Sequence, residues 1–222
     1  MQHPIRILST KKLLVNQKQF LLNAGFTIIE ADFIQTTNID FQSEEINNNL
    51  IFTSQNAVIS LLENPEAEQL KSKPAFCVGL KTKSLLEYNG FHVIAHTGYA
   101  ADLAEIITLI YNKETFTFFS GNLRREALPK ALQAAGIHFN EIKVYETKLM
   151  PQKINSKADG ILFFSPSAVE SYLKNNSITN EICFCIGATT ASALEDKKIQ
   201  NIIIAHQPTI ENTIIQCINE YK

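Results

Sequence analysis

At 222 residues, 45% hydrophobic and 19% charged, the chain has the composition of a globular protein of one large or two small domains. Disordered, collagen-like and coiled-coil architectures are excluded. Twenty Lys plus Arg against 22 Asp plus Glu leave a formal charge of -2, so no global basic field holds a nucleic-acid backbone, and a polyanionic ligand must be met by a local cleft.

In chain order, residues 5–8 read as a strand. Residues 12–23, with Leu13, Leu14, Phe20 and Leu21 on one side, read as a helix closed by Gly25. Residues 26–34 form the next strand, and 51–53, 75–78 and 92–95 three more, with helices near 55–63, 82–88 and 101–111. Further strands fall near 116–119, 142–146, 161–164, 182–186 and 201–205. Pro129 is tolerated in the helix after Gly121 only if that helix starts late. Alternating strands and helices imply α/β units with a parallel, doubly wound sheet of about five strands. The apolar stretches 57–62 and 202–205 are far shorter than the roughly 18 residues of a membrane span. The N-terminus shows no apolar signal-peptide core, so the expected compartment is the cytoplasm.

The chain repeats itself at about half its length. Ser9 matches Ser120 and Ala24-Gly25 matches Ala135-Gly136, both at an offset of 111. Phe52-Thr53-Ser54-Gln55-Asn56-Ala57-Val58 matches Phe163-Phe164-Ser165-Pro166-Ser167-Ala168-Val169 at the same offset. Cys77-Val78-Gly79 matches Cys185-Ile186-Gly187 at 108, and Ala95-His96 matches Ala205-His206 at 110. Collinear matches of this kind imply two copies of one flavodoxin-like unit. The most polar segments, 35–49 and 147–158, fall inside each copy after its second strand and have linker composition. The expected bodies are therefore 1–34 plus 159–222, and 50–146, joined by a two-segment hinge with a cleft between them.

Several chemistries are set aside. No two of the eight glycines lie in a G-x-G, so neither a dinucleotide fingerprint nor a P-loop is present. Cys77, Cys183, Cys185 and Cys217 show no C-x-x-C spacing and read as buried thiols; the five His are scattered, so no metal is expected. What remains is the set of loops at the carboxyl ends of the strands, rich in small hydroxylated residues. Ser54, Thr82, Ser165 and Thr189 suit helix N-caps, and equally suit an anion cleft built from helix N-termini. Arg124 and Arg125 stand where an early helix position favours acids. They serve either carboxylate recognition or an ion pair with Glu126 or Asp102. Tyr145, beside a linker, either packs the hinge or faces the cleft.

Together these motifs resemble the uroporphyrinogen-III synthase family. The likeness rests on 52–58, on Cys77-Val78-Gly79 with Thr82, and on Gly121 with Arg125, Leu128 and Leu132. It continues through Val144-Tyr145-Glu146-Thr147, residues 164–169, Ile186-Gly187 with Thr189-Thr190-Ala191, and Ala205 with Pro208-Thr209. The resemblance implies two α/β domains that take linear hydroxymethylbilane, lose water from its hydroxymethyl group and close the ring with the last pyrrole inverted, through a spiro-pyrrolenine. It implies no cofactor and a transient hand-off from hydroxymethylbilane synthase; the lack of an extra apolar segment favours a monomer. It implies Tyr145 as the group assisting hydroxide departure, and Ser54, Asn56, Thr82, Arg125, Ser165, Ser167, Thr189 and Thr190 as holders of acetate and propionate groups. One departure is Ser9-Thr10-Lys11-Lys12, where relatives often carry Thr-Arg-Pro, so Lys11 or Lys12 replaces a guanidinium as a point charge. The competing reading is a non-catalytic two-lobed module that binds a small anion.

Overall fold

The computed structural model describes residues 4–42 and 46–222. Positions 1–3, and positions 43–45 of the segment expected to be the first linker, lie outside the described residues. The chain divides into two compact units, residues 1–35 with 148–222, and residues 36–147.

The first unit is built on a five-stranded parallel sheet. Its strands are β1 (Arg6–Ser9), β2 (Thr27–Glu30), β9 (Gly160–Phe163), β10 (Ile182–Cys185) and β11 (Ile202–Ile204), in the order β11-β10-β9-β1-β2. Parallel strands need covered faces, and the sequence supplies apolar residues at successive positions for both. Leu8, Ile161, Phe163, Cys183 and Cys185 pack on one face against α7 (Pro166–Asn175) and α8 (Ala188–Glu195). Ile7, Leu162 and Phe184 pack on the other against α1 (Val15–Asn23) and α9 (Ile210–Tyr221).

The second unit repeats this design with one strand added. Its sheet, ordered β3-β8-β7-β4-β5-β6, contains β3 (Ile34–Asn38), β4 (Asn49–Phe52), β5 (Ala75–Val78), β6 (Val93–Thr97), β7 (Thr115–Gly121) and β8 (His138–Leu149). Leu50, Phe52, Ala75, Cys77 and Phe119 face α2 (Gln55–Glu63), α3 (Ala67–Leu70) and α4 (Leu80–Tyr88). Ile51, Phe76, Phe116 and Phe118 face α5 (Ala100–Ile110) and α6 (Ala127–Ala134). Phe52 stacks on Phe119 with ring centres 5.2 Å apart, bridging two neighbouring strands. If β7 and β8 are counted as first and second, this sheet and that of the first unit share one order, 2-1-3-4-5, the flavodoxin-like arrangement. The internal repeat is thus two copies of one sheet, the second entered at its third strand.

The structure departs from the sequence reading at definite places. Residues 26–34 do not form one strand: β2 ends at Glu30 and β3 begins at Ile34. Between them Ala31 and Phe33 still donate to the carbonyls of Ser9 and Thr10, and Phe33 is buried against Tyr172. The chain then leaves the first sheet and pairs with β8, where Ile39 donates to the Val144 carbonyl and Met150 to that of Phe33, each at 2.8 Å. The polar segments read as structureless linkers therefore begin with paired strand, and β8 runs to Leu149. Helix α1 starts at Val15 rather than 12 because the backbone N–H groups of Lys12 and Leu13 are taken by Asp32 and Glu30. Pro129 lies at the third position of α6, in the first turn, where its missing donor costs nothing.

All four cysteines are free and buried. Burial pushes the thiols up, that of Cys77 to about 11 and those of Cys183 and Cys185 to about 12. A thiolate-selective reagent is therefore expected to leave the native protein unmodified at neutral pH and to react with all four cysteines in denaturant. Rapid modification of any native thiol would contradict this burial.

Candidate functional site

Parallel pairing brings the start of each helix that directly follows a parallel strand to the same edge of its sheet, with unpaired backbone N–H groups and partial positive charge. In the 2-1-3-4-5 order the chain runs outward in opposite directions from the first and third strands, and the loops after these two flank the switch point. In the second unit those loops follow β7 and β4; in the first they follow β1 and β9.

At the β4 end, Ser54 has extended backbone and caps α2, its hydroxyl accepting from the Asn56 backbone N–H at 3.1 Å. Asn56, the second residue of α2, is exposed. The counterpart of Ser54 in the first unit is Ser165, which caps α7 by accepting from the Ala168 N–H and lies 3.1 Å from the Ser167 hydroxyl. Ser54 and Ser165 are thus caps. Thr82 and Thr189 are not: α4 and α8 begin earlier, capped by Gly79 and Gly187. Gly79 has φ of +91°, a conformation costly for a side-chain-bearing residue. Thr82 and Thr190 sit at matching third positions of their helices, both buried, while Thr189 is exposed.

The loop after β7 separates its two arginines. Arg124 forms a fork on Glu141, Nε to Oε1 at 2.6 Å and Nη2 to Oε2 at 2.9 Å, and also pairs with Glu126. Burial raises the Glu141 carboxyl, but hydrogen bonds from Arg124 and Ser120 outweigh it and hold the group below the ordinary value. Arg125 is exposed and has no ion-pair partner among the described residues. The ion-pair reading therefore holds for Arg124, with Glu141 as a partner the sequence did not reveal. The available guanidinium is Arg125. Glu141 matches Glu30 at the repeat offset of 111, and Glu30 performs the same task by accepting from the Leu13 N–H and from Lys18. That equivalence was the signal available.

Tyr145 lies beside this loop. In the register of β7 and β8 it is opposite Gly121, and a Cβ on Gly121 would come within 2.3 Å of the Tyr145 ring. The ring rests on the glycine backbone and on the cluster of Phe52, Phe119 and Val144, half-buried. Its hydroxyl has no hydrogen-bond partner among the described residues. So Ser54 and Arg125 follow the carboxyl ends of the adjacent strands β4 and β7, and the phenol lies on β8 level with the carboxyl end of β7. Lys11 and Lys12 are exposed in the loop after β1, where the Thr10 hydroxyl is occupied by the Leu162 carbonyl at 2.7 Å. Among the described residues no three His, Cys, Asp or Glu side chains group as metal ligands. No helix among them is long and apolar enough to cross a membrane.

Replacing Gly121 by Ala is expected to destabilise the protein by about 1–3 kcal/mol through overpacking against Tyr145. Most of that loss should vanish when Tyr145 is also Ala. Urea unfolding of the two single variants and the double variant measures this, and strictly additive losses would show that the ring and the glycine are not in contact.

A family model described as uroporphyrinogen-III synthase HemD matches residues 17–215. The uroporphyrinogen-III synthase of Saccharomyces cerevisiae is 23% identical over 211 residues, covering 79% of this chain and 76% of that protein. The crystal structure of uroporphyrinogen-III synthetase from Helicobacter pylori shares the fold with a TM-score of 0.72 at 22% identity, over 97% of this chain and 99% of that one. A mutant uroporphyrinogen III synthase from Thermus thermophilus gives a TM-score of 0.72 at 14% identity, over 98% and 100%. With that match running from α1 into α9, through both repeated sheets, the chain belongs to the uroporphyrinogen-III synthase family, cyclising lyases of haem biosynthesis that act on a small-molecule substrate.

Proposed function

We propose that this chain converts linear hydroxymethylbilane into uroporphyrinogen III by loss of water and inversion of the terminal pyrrole. The observation that carries the mechanistic part of this reading is the Tyr145 phenol, laid on Gly121 with its hydroxyl unengaged among the described residues, where the loop that follows Gly121 also carries Arg125. The substrate is flexible, carries many carboxylates and closes spontaneously to the symmetric isomer. Catalysis therefore consists largely in holding the chain so that the substituted carbon of the last pyrrole is the nearer nucleophile.

In this reading Arg125 takes a carboxylate as a two-pronged donor. Ser54, Asn56, Thr82, Ser165, Ser167, Thr189 and Thr190, with the backbone N–H groups at their helix starts, hold the other acetate and propionate groups or shape the loops that do. Tyr145 donates a hydrogen bond to the departing hydroxyl oxygen while the C–O bond breaks and the pyrrole nitrogen supplies electrons to form the azafulvene. The substituted carbon of the terminal pyrrole then attacks, giving the spiro-pyrrolenine. That intermediate fragments at the older carbon–carbon bond and closes again through the other position. No step draws on a metal or organic cofactor. We further propose that the protein works as a cytoplasmic monomer, in keeping with its four unpaired thiols, and receives its unstable substrate directly from hydroxymethylbilane synthase.

The test is to generate hydroxymethylbilane freshly, add the protein, oxidise, and separate the type I and type III uroporphyrins. Predominant type III in proportion to protein supports the cyclase. Type I alone from a folded sample would leave only an anion-binding module. Tyr145→Phe is expected to lower kcat by at most about a few hundredfold, since positioning by the other loops survives; abolished turnover in a folded Phe variant would instead make the phenol an essential acid. Arg125→Ala should raise KM by about tenfold or more while kcat at saturation changes little, as loss of a charged hydrogen bond predicts. An unchanged KM would remove Arg125 from the site.

A further inference from the structure

The loop after β7 meets β8 a second time, beyond the last residue pair of the ladder. The Asn122 side-chain amide donates to the Thr147 carbonyl oxygen at 3.0 Å, and its own oxygen accepts from the Thr147 backbone N–H at 2.8 Å. One planar amide therefore does for β8 what another strand residue would do. The register explains the need. Ser120 is opposite Lys143 but Gly121 is opposite Tyr145, so Val144 is an extra residue and the strand is bulged there. A bulge bends the strand and re-aims the side chains around it.

Both flanks of the bulge are tied. On the near side the Val144 carbonyl accepts from the Ile39 N–H at 2.8 Å and from the Ser60 hydroxyl. On the far side Thr147 is held by Asn122. Tyr145 stands between these two fixed points, and its ring has no hydrogen bond of its own to hold it among the described residues. Asn122 also adjoins Gly121, the surface on which the ring lies.

We propose that Asn122 is a positioning residue for Tyr145: its amide clamp on Thr147 fixes the direction in which the phenol presents its proton to the departing oxygen. This rests on the cyclase reading and on the part given there to Tyr145. A donor that must meet an oxygen only as a bond breaks is sensitive to small displacements, whereas Arg125, three residues further along the same loop and exposed, is not itself held by the amide. The clamp therefore acts on turnover rather than on affinity.

The experiment is a kinetic double-mutant cycle. kcat, KM, the ratio of type III to type I product and Tm are measured for Asn122→Ala in the wild-type background and in Tyr145→Phe. The expected result is a fall in kcat of about tenfold with KM within about twofold and Tm near wild type, and no further fall in the Tyr145→Phe background. The share of type I product rises with it. Asn122→Asp keeps the acceptor for the Thr147 N–H and loses the donor; it should be impaired likewise, and it takes the place of the alanine variant if that one does not fold. An undiminished kcat in both Asn122 variants overturns the proposal while leaving the cyclase intact. So does a loss that tracks the unfolded fraction, or one that persists undiminished with Tyr145→Phe. A wild-type protein that forms no type III product overturns the cyclase reading and the clamp's role with it.

Discussion

Parallel strand pairing is the constraint from which the candidate site follows. Because every strand of the first sheet and the core strands β4 to β8 of the second run the same way, apolar residues must cover both faces and the helices must return over them. The starts of the helices that directly follow these strands then crowd one edge of each sheet, and the backbone donors there have no partner within the helix. A protein so built carries anion-binding capacity before any side chain is chosen. In the proposed reading, Arg125 and the phenol of Tyr145 give that capacity its character, added beside the switch point.

Those additions depend on a small set of local anchors that recur in both units. Glu30 and Glu141 occupy matching positions and each turns its carboxylate to the first strand-to-helix loop of its own unit. In one unit the partner is a backbone N–H and Lys18; in the other it is Arg124 and the Ser120 hydroxyl. The device was kept and its partners changed. Where the first unit keeps Thr10, whose hydroxyl is buried on the Leu162 carbonyl, the second has Gly121, and the space this leaves is filled by the Tyr145 ring. The two copies have thus diverged at the position where one acquired a phenol.

Much of this was legible in the residues. The repeat, the strand order of a doubly wound fold and the loops at the strand ends could be read because buried parallel strands are short apolar runs and helix caps are small hydroxylated residues. Strand β8 was legible only at its centre, since its neighbours β7 and β3 satisfy its backbone while polar side chains such as Lys143 stay exposed. The caps at Thr82 and Thr189 were misread because glycine can start a helix without a side chain, here three and two residues earlier than those hydroxyls. The roles of Arg124 and Asn122 were hidden for a different reason. Both depend on partners on β8, 17 and 25 positions away, which no local pattern links to them.

The order of strands along the chain has a consequence for synthesis. The second unit is one unbroken stretch, so its sheet can close as soon as β8 has left the ribosome. The first unit cannot. Its inner strand β1 lies between β2 and β9, and the Arg6 backbone N–H is met by Asp159, 153 positions later. Until that late segment emerges, Ile7 and Leu8 have a neighbour on only one side and no complete core to enter. The earliest part of the protein to be made is therefore the last to find its place, and a nascent chain carries an exposed two-strand edge through most of its translation.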